Sequence, residues 1–574
     1  MKQFFPYLGK YKKYLLVSMF CVTAETITEM MIPLIMTDII DVGIKTQNQQ
    51  YLIIKGIQMM VFALISLALG LVYARVNALA GMGFGAELRR AEFEKIQGFS
   101  FSNTDRFTSS SLVTRLTGDI TILQNAVNAG VRPLVRGPVM LVTAMTMAIM
   151  ISPTLSVVFA ISIPLLGLCL FLILKKQRPF FGRMQKALDR VNTIVQENLA
   201  AIRVVKSYVR EGYECQKFDN VNQDLKGISE KAFHYSVLNM PIFQFSMYAT
   251  TVALLAIGGA MVQQGALEVG RLTMFLSFVL LILNSLMMIS GVFLLLSRAV
   301  SSAVRVSEIL NEEADIQDTG AADAVVKNGS IDFENVAFKY QQGAEEYVLS
   351  GITLHIAAGQ TVGIIGGTGS AKTSLVQLIP RLYDISAGKL LIDGRDIKEY
   401  SVAHLRDAIG MVLQKNTLFT GSIRENLLCG NKHATGQDLA WACRVACCEE
   451  FLARLPEGLE TQLGQGGVNV SGGQKQRLCI ARALLKKPKV LILDDSTSAV
   501  DTATEAKIRE GLASDLPGTT KIIIAQRISS VEQADQIVIL ENGLINEVGT
   551  HEKLLAHNHI YQEIVEAQKK GALA

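Results

Sequence analysis

Long apolar runs dominate the N-terminal half of the chain, whereas the C-terminal half mixes short apolar strands with charged stretches, as soluble proteins do. Each run is long enough to cross a hydrocarbon layer of about 30 Å as a helix that rises about 1.5 Å per residue. The pattern therefore predicts a membrane α-helical domain with six spans. The predicted spans are Tyr14–Ile40, Leu52–Leu79, Val131–Ile151, Thr154–Leu174, Pro241–Val262 and Leu272–Leu296.

The connections between these spans are of two kinds. The outer ones, such as Ile151–Pro153 and Gln263–Gly265, are short. The two inner ones are charged but keep helical periodicity, as in Ala86–Phe93, so we expect the membrane helices to continue into the cytoplasm.

Positive charge predicts the orientation in the membrane. Lysines precede the first span, from Lys2 to Lys13, and arginines such as Arg89 and Arg90 follow the second. Because Lys and Arg favour the cytoplasmic side, we expect a multi-pass protein of the cytoplasmic cell membrane with both termini in the cytoplasm. The net charge of +4 is small for 574 residues and membrane topology explains the basic residues, so no nucleic-acid partner is expected.

A segment without periodicity separates the membrane part from the soluble part. Residues 311–328 are rich in Asp, Glu, Ala and Gly, which is typical of a linker. The predicted domains are thus 1–310 and 329–574. The second opens with the alternating strand pattern Ile331–Phe338 and continues with β-rich runs between helical stretches, which predicts an α/β domain with a parallel sheet.

A glycine-rich loop in this domain predicts a nucleotide site. Strand Thr361–Ile365 runs into the loop, and a helical pattern follows. In this context glycines let backbone amides converge on phosphate oxygens, Lys372 offers a cation to the terminal phosphates, and Thr373 can ligate Mg²⁺. The loop residues are Gly366, Gly367, Thr368, Gly369, Ser370, Ala371, Lys372, Thr373 and Ser374.

One loop position departs from the usual pattern. Ala371 stands where such loops normally have their last glycine. If the backbone there needs a positive φ, the Cβ costs about 1 kcal/mol, which would weaken nucleotide binding without abolishing it.

Two further elements fit the same site. The apolar strand Val490–Leu493 ends in Asp494, a carboxylate able to hold Mg²⁺. Upstream of it lies a serine and glycine-rich segment at the start of a helical pattern, where backbone amides can hold a phosphate. This segment is Ser471, Gly472, Gly473 and Gln474.

Together, in this order and after six spans, these motifs resemble the ATP-binding cassette (ABC) exporters of the six-helix, half-transporter type over nearly the whole chain. The resemblance implies the type I exporter fold, an ATP-hydrolysing translocase, and ATP with Mg²⁺ as ligands. It assigns adenine stacking to Tyr340 and sensing of Mg²⁺ and γ-phosphate to Gln414. It also identifies Ser498–Asp501 as the D-loop, which crosses the dimer interface and contributes Ser498 and Asp501.

In that family two soluble domains enclose two ATP molecules, and each site combines the phosphate loop of one domain with the signature loop of the other. The catalytic base, a glutamate in the family, is Asp495 here, and the switch histidine is Gln526. A base misplaced by about 1 Å can slow the reaction on the order of 100-fold. The signature loop of this chain is Asn469–Gln474. It differs from the family's pattern only at Val470, where leucine is usual.

This asymmetry predicts one subunit of a heterodimeric exporter. Its own site would be degenerate, and its signature loop would complete a competent site with the partner's phosphate loop. The expected cargo is a small amphiphilic compound: a drug, a lipid or a peptide-like molecule. A homodimeric exporter with two slow sites and an ATP-gated regulatory membrane protein remain open alternatives. By resemblance, contact helices are expected near Ser109–Asp119 and Tyr213–Asn222.

Two carboxylates in the first span suggest a role in the membrane. Glu25 and Glu29 lie four residues apart and hence on one helical face. Charges at membrane depth usually face a cavity or a partner group. The two glutamates either line a substrate cavity that favours cationic amphiphiles or bind neighbouring helices, and the sequence leaves both readings open.

Overall fold

The structure is a computed structural model that describes residues 2–318, 320–321, 324–341 and 343–572. It contains two compact units. The first comprises Met1–Gln97 and Ser109–Glu312, and the second comprises Gly98–Thr108 and Glu313–Ala574.

Helices make up nearly all of the chain up to the linker. The longest, of 49 residues, spans about 70 Å at about 1.5 Å per residue, more than twice a hydrocarbon layer. In chain order the helices are α1 (Phe5–Gly9), α2 (Lys12–Asp38), α3 (Gln49–Gln97), α4 (Phe101–Arg106), α5 (Ser109–Thr114), α6 (Ile120–Ile151), α7 (Pro153–Ala200), α8 (Ile202–Ser207), α9 (Glu211–Val237), α10 (Asn239–Gln263) and α11 (Val269–Asn311).

Six helical stretches in the described residues are long and apolar enough to cross a membrane, and each contains one predicted span. The prediction of six membrane helices is therefore confirmed. The long helical continuations expected from the charged periodic segments are also present, because α3 and α7 run on into these segments without a break. Phe159 of α7 and Phe275 of α11 are buried and stack with ring centroids 5.8 Å apart in the core of this unit.

The structure places a separate short helix upstream of the first expected contact segment. Ser109–Thr114 and the following π-helical turn belong to the membrane unit and lead directly into α6. The separate short helix in that connection is α4, which clusters with the soluble unit. Its start is a capping box between Ser100 and Asn103, and Tyr383 of the soluble unit donates a 2.6 Å hydrogen bond to the Asp105 carboxylate.

The soluble unit contains three sheets among its described residues. Its strands are β1 (Ile331–Phe338), β2 (Leu349–Ile356), β3 (Thr361–Ile365), β4 (Ala387–Ile392), β5 (Arg395–Asp396), β6 (Ile409–Val412), β7 (Gly421–Ser422), β8 (Gln462–Leu463), β9 (Val490–Asp494), β10 (Thr520–Ile524), β11 (Gln536–Glu541) and β12 (Leu544–Gly549). Its helices after the linker are α12 (Lys372–Leu378), α13 (Val402–Asp407), α14 (Ile423–Leu428), α15 (Gly436–Val445), α16 (Glu449–Leu452), α17 (Gly472–Leu484), α18 (Thr502–Asp515), α19 (His551–His557) and α20 (His559–Ala572).

The central sheet has the strand order β12-β11-β3-β10-β9-β6, and its pairs from β11 to β6 are parallel. Strands β3, β9 and β10 are almost wholly apolar and buried on both faces, as parallel strands covered by helices are. A second sheet, β2-β1-β4-β5, is antiparallel and was not predicted. The alternation in Ile331–Phe338 identified a strand, but alternation alone does not give the direction of its neighbours.

Candidate functional site

The site is built where three adjacent parallel strands end. β10 pairs with β3 on one side and β9 on the other, so that Ile524 lies opposite both Ile364 and Asp494. The carboxyl ends of parallel strands meet at one edge of a sheet. The phosphate loop after β3, the acidic pair at the end of β9 and Gln526 after β10 therefore share one edge.

The backbone of the phosphate loop explains two of its glycines, and it shows that the one substituted position is strained. A Cβ on Gly366 would lie 2.1 Å from the carbonyl oxygen of Leu540, and Gly369 has a φ of +83°. Ala371 has φ 69° and ψ 23°, in the left-handed region. The position thus has the positive φ that made the substitution unfavourable, because an L-residue with a Cβ is strained there by roughly 1 kcal/mol.

The side chain of Lys372 is held inside the loop. Its ammonium donates to the carbonyl oxygens of Gly366 and Gly367 at 2.8 Å and 2.7 Å, and to the Ser370 hydroxyl at 3.2 Å. Burial lowers the pKa of the Lys372 ammonium, while the neighbouring acids Asp494 and Asp495 oppose this. The cation lies where phosphate oxygens can replace the carbonyls.

Thr373 and Asp494 form the polar pair that fits a divalent cation. The Thr373 hydroxyl donates to Asp494 Oδ1 at 3.1 Å. Asp494 is 1% exposed, and its Oδ2 has no hydrogen-bond partner among the described residues. Burial raises the pKa of this carboxyl above its ordinary value. A buried carboxylate oxygen without a partner beside a hydroxyl is the hard-oxygen environment that Mg²⁺ prefers.

The two substituted catalytic positions contact each other. Gln526 Nε2 donates a 2.7 Å hydrogen bond to Asp495 Oδ2, and the Gln414 side chain lies close enough to lower the pKa of this carboxyl. Burial raises the pKa of Asp495, and the hydrogen bond from Gln526 opposes the rise. The Asp495 backbone is left-handed, with φ 46°, a conformation that aspartate adopts more readily than most residues.

A residue on the C-terminal helix fixes the segment that carries Gln526. Gln568 of α20 donates to the Gln526 carbonyl at 2.7 Å and accepts from the Ile528 amide at 2.9 Å. One side-chain amide thus satisfies a backbone acceptor and a backbone donor on either side of Arg527. We call Gln526–Ser530 the switch segment.

Tyr340 lies beside a cavity of about 1390 Å³ within the soluble unit. Its ring is 43% exposed and packs edge-on against Phe338 and Tyr383, with centroids 4.9 Å and 5.1 Å away. Its hydroxyl hydrogen-bonds the Ser374 hydroxyl at 2.8 Å. The exposed face of an aromatic ring next to the phosphate loop is suited to stacking a planar base.

The signature loop starts helix α17 with a reciprocal cap. Ser471 Oγ accepts from the Gln474 amide at 3.3 Å, and Gln474 Oε1 accepts from the Ser471 amide at 2.9 Å. This capping box leaves the amides of Gly472 and Gly473 in the first turn, where a helix favours anions. A Cβ on Gly473 would lie 2.7 Å from the Ala499 carbonyl oxygen, whereas one on Gly472 would make only ordinary contact.

The D-loop is fixed to the signature helix. Gln476 of α17 is buried, accepts from the Ala499 amide at 2.9 Å and donates to the Ser498 hydroxyl at 3.3 Å. Asp501 caps the next helix, α18, by accepting from the Thr504 amide at 2.9 Å. Ser498 and Asp501 are both exposed.

The two membrane glutamates are paired with arginines that the sequence analysis did not single out. Arg132 of α6 donates to Glu25 Oε1 at 2.5 Å, and Arg136 bonds both Glu25 and Glu29. Glu25 is 5% exposed. Since two arginines neutralise two glutamates, the geometry supports bonding between helices α2 and α6 and gives no support to an acidic cavity that selects cations.

The sequence motifs thus place the phosphate loop, the acidic pair and Gln526 at one sheet edge, and the signature loop and D-loop next to each other. Residues that position them were missed. Gln568, Gln476 and Arg132 carry no local signal, because each acts through contacts with residues distant in sequence or on another element.

Comparison with known proteins gives consistent results over the full length. Residues 15–286 match the ABC transporter transmembrane region, and residues 349–498 match the ABC transporter family. The uncharacterized ABC transporter ATP-binding protein YfiB of Bacillus subtilis (strain 168) is 35% identical over 99% of this chain and 98% of its own. The ATP-dependent lipid A-core flippase of Syntrophus aciditrophicus (strain SB) is 32% identical over 87% of this chain and 82% of its own.

A solved structure has the same fold. It is that of a bacterial Atm1-family ABC exporter with ATP bound, which matches 97% of this chain and 99% of its own with a TM-score of 0.83 and 22% sequence identity. The predicted fold class, six membrane helices and an α/β nucleotide-binding domain in the type I exporter arrangement, is confirmed.

Proposed function

This chain belongs to the ABC transporter family, as an exporter with its membrane and ATP-binding regions fused, and we propose that it is the degenerate-site subunit of a heterodimer. Chains of this kind are translocases driven by ATP, and they work as dimers. The proposal concerns which of the two ATP sites turns over. The observation that carries it is the hydrogen bond between Asp495 and Gln526.

At this chain's own site, the reacting water would lack a well-placed base. Asp495 is one methylene shorter than the family's glutamate, and its Oδ2 is already bound by Gln526. The neutral amide of Gln526 cannot take the charged form available to a histidine. Misplacement of the base by about 1 Å slows hydrolysis on the order of 100-fold, so ATP remains bound here.

The roles of the other site residues follow in the same proposal. Tyr340 stacks on adenine, the loop Gly366–Ser374 binds the phosphates, and Gln414 senses the γ-phosphate. Thr373 and Asp494, with Gln414, would hold Mg²⁺, which when bound neutralises phosphate charge. The Ala371 strain weakens this binding by about 1 kcal/mol, without removing the Lys372 cation.

The partner's ATP receives an intact signature loop. The capped start of α17 directs the amides of Gly472 and Gly473 outward, and Ser471 adds a hydroxyl. Backbone amides at a helix N-terminus stabilise a γ-phosphate. The competent site therefore forms between this loop and the phosphate loop of a second, different exporter subunit. Slow turnover at one site would bias the inward and outward states.

The membrane arrangement is part of the proposal. The domains are 1–310 and 329–574, joined by the linker 311–328, and both termini lie in the cytoplasm of a cell whose cytoplasmic membrane holds the protein. The six spans contact membrane lipid. We propose no nucleic-acid partner.

The proposed cargo is a small amphiphilic molecule. The similarity to a lipid A-core flippase supports a lipid among the candidates, beside drugs and peptide-like compounds. The neutralised pairs at Glu25 and Glu29 remove the reason to favour cations. We expect Glu29→Gln to leave transport of a cationic dye into inverted vesicles unchanged, because Arg136 keeps Glu25 as a partner. A loss of dye transport at normal expression would instead support the hypothesis that the glutamates line a cavity for cations.

Repair of the two substituted positions tests the proposal. In the two-subunit complex, with the partner's own catalytic glutamate replaced by glutamine so that only this chain's site can turn over, Asp495→Glu together with Gln526→His should raise phosphate release on the order of 100-fold, and each single change should do less because it leaves an unmatched partner. The matched control is Glu510→Gln, an exposed acid on α18. An unchanged rate in the double variant would show that these residues do not limit turnover.

The two alternatives predict different results. A homodimeric slow exporter would transport its cargo when reconstituted alone. An ATP-gated regulatory protein would bind ATP and close without any compound stimulating hydrolysis. The heterodimer requires a companion chain for both transport and rapid turnover.

A further inference from the structure

A buried acid joins the two loops that serve different ATP sites. Glu505 lies on α18 and is 6% exposed. The Thr497 hydroxyl donates to its Oε1 at 2.9 Å, and the Ser530 hydroxyl donates to the same oxygen. Arg527 approaches Oε2 at 3.8 Å. The Glu505 carboxylate therefore bonds Thr497, in the segment after β9, and Ser530, in the segment after β10.

On one side, Glu505 reaches the D-loop. Thr497 immediately precedes Ser498, and Ser498 and Ala499 are bonded to Gln476 of the signature helix. Movement of Thr497 therefore shifts a loop that is already attached to α17. Gly473 passes so close to Ala499 that no side chain would fit between them.

On the other side, Glu505 reaches the switch segment. Arg527 precedes the turn Ile528–Ser530, Ser530 is the last residue of that turn, and Arg527 follows Gln526 directly. Gln526 contacts Asp495, and the Ser498 hydroxyl donates to the Asp495 carbonyl at 3.1 Å. A change at the γ-phosphate position of this chain's own site thus displaces partners of Glu505.

We propose that Glu505 is a positioning residue that transmits nucleotide occupancy from the switch segment to the D-loop and signature helix of the same chain. The inference rests on the proposed function, since it gives the degenerate site a means of adjusting the loops offered to the competent site. A buried carboxylate with three partners resists the loss of any one of them, because an unpaired buried charge is unfavourable. The hydroxyls and the guanidinium therefore move with it.

Hydrogen exchange on the full-length chain in nanodiscs, with and without Mg²⁺-ATP, tests the link. Three peptides report: 366–374 for binding, 526–530 for the switch segment, and 499–504 for the D-loop and the start of α18, which excludes Asp495 and Ser498. In the wild type, ATP should slow exchange at the first and change it at the other two. Glu505→Ala should keep the ATP response at 366–374, whereas the change in exchange rate that ATP causes at 499–504 should fall roughly fivefold or more.

Two milder variants separate a link from simple support of the fold. Thr497→Val and Ser530→Ala each break one side of Glu505 while the carboxylate stays in place. In a series link, each alone removes the ATP response at 499–504, and their combination removes no more. The control Glu510→Gln, on the same helix but exposed, should respond as the wild type does.

The outcomes distinguish this inference from the function on which it rests. A D-loop response that persists in Thr497→Val and Ser530→Ala would overturn the link, as would losses that add in the double variant. Absence of protection at 366–374 in the wild type would overturn both, since this site would not bind ATP. Rapid turnover by the chain alone, with the response still dependent on Glu505, would overturn only the heterodimer.

Discussion

The phosphate loop and the signature loop of this chain differ in how their substitutions are accommodated. At the phosphate loop, Ala371 occupies a left-handed backbone position, and Asp495 and Gln526 bond each other where a base and a switch residue are expected. At the signature loop, Ser471 and Gln474 cap the helix reciprocally. The two substituted catalytic residues, Asp495 and Gln526, are thus hydrogen-bonded to each other, and neither side chain is left without a partner.

The difference indicates that the phosphate-loop side and the signature loop are under different structural requirements. Gln526 supplies a hydrogen-bond donor to the half-buried Asp495 carboxylate, which lowers the cost of taking this acid partly out of water. In the proposed function this hydrogen bond helps to keep the fold while catalysis at this site is impaired. The signature loop, which in the proposed function acts on the partner's ATP, keeps its reciprocal helix cap.

The largest effect should come from the signature side. In the two-subunit complex, Ser471→Ala removes a γ-phosphate donor and the helix cap, and should lower phosphate release on the order of 100-fold. Lys372→Ala, on the phosphate-loop side, should abolish nucleotide binding to this chain, measured by photo-crosslinking, yet lower release only several-fold. Equal losses of phosphate release in the two variants would contradict the proposed asymmetry between the two ATP sites.

A smaller effect is expected at Gln568. Gln568→Ala removes two hydrogen bonds to the switch segment, worth about 1–2 kcal/mol together, so hydrogen exchange in residues 526–530 should quicken roughly fivefold or more. Gln562→Ala is the matched control, because Gln562 lies on the same helix and its side chain donates a hydrogen bond to the Leu555 carbonyl, away from the switch segment. The same acceleration in both variants would mean that α20 as a whole, not Gln568, holds the segment.

The smallest effect concerns the backbone at Ala371. Ala371→Gly relieves the left-handed strain of about 1 kcal/mol, so ATP should bind this chain about fivefold more tightly by equilibrium titration, with a slightly higher Tm. A weaker affinity would show that the alanine is favoured in this conformation by contacts with its neighbours.

Much of the fold could be predicted from local sequence patterns. The residues that hold the site in place could not. Apolar runs located the six spans, and the strand before the phosphate loop was correct because its sequence signals are contiguous. The antiparallel sheet, helix α4 and the partners of Glu25 depend on contacts between distant segments: Arg132 lies 107 positions from Glu25. Gln568 and Glu505 look like ordinary helix residues until the fold brings loops against them.

Phosphate release by the purified chain, measured alone and again with its companion subunit, tests the central claim most directly. The account predicts slow release alone and a rise on the order of 100-fold in the pair, since only the pair contains a competent base opposite this signature loop. Rapid and sustained release by the chain alone would contradict it.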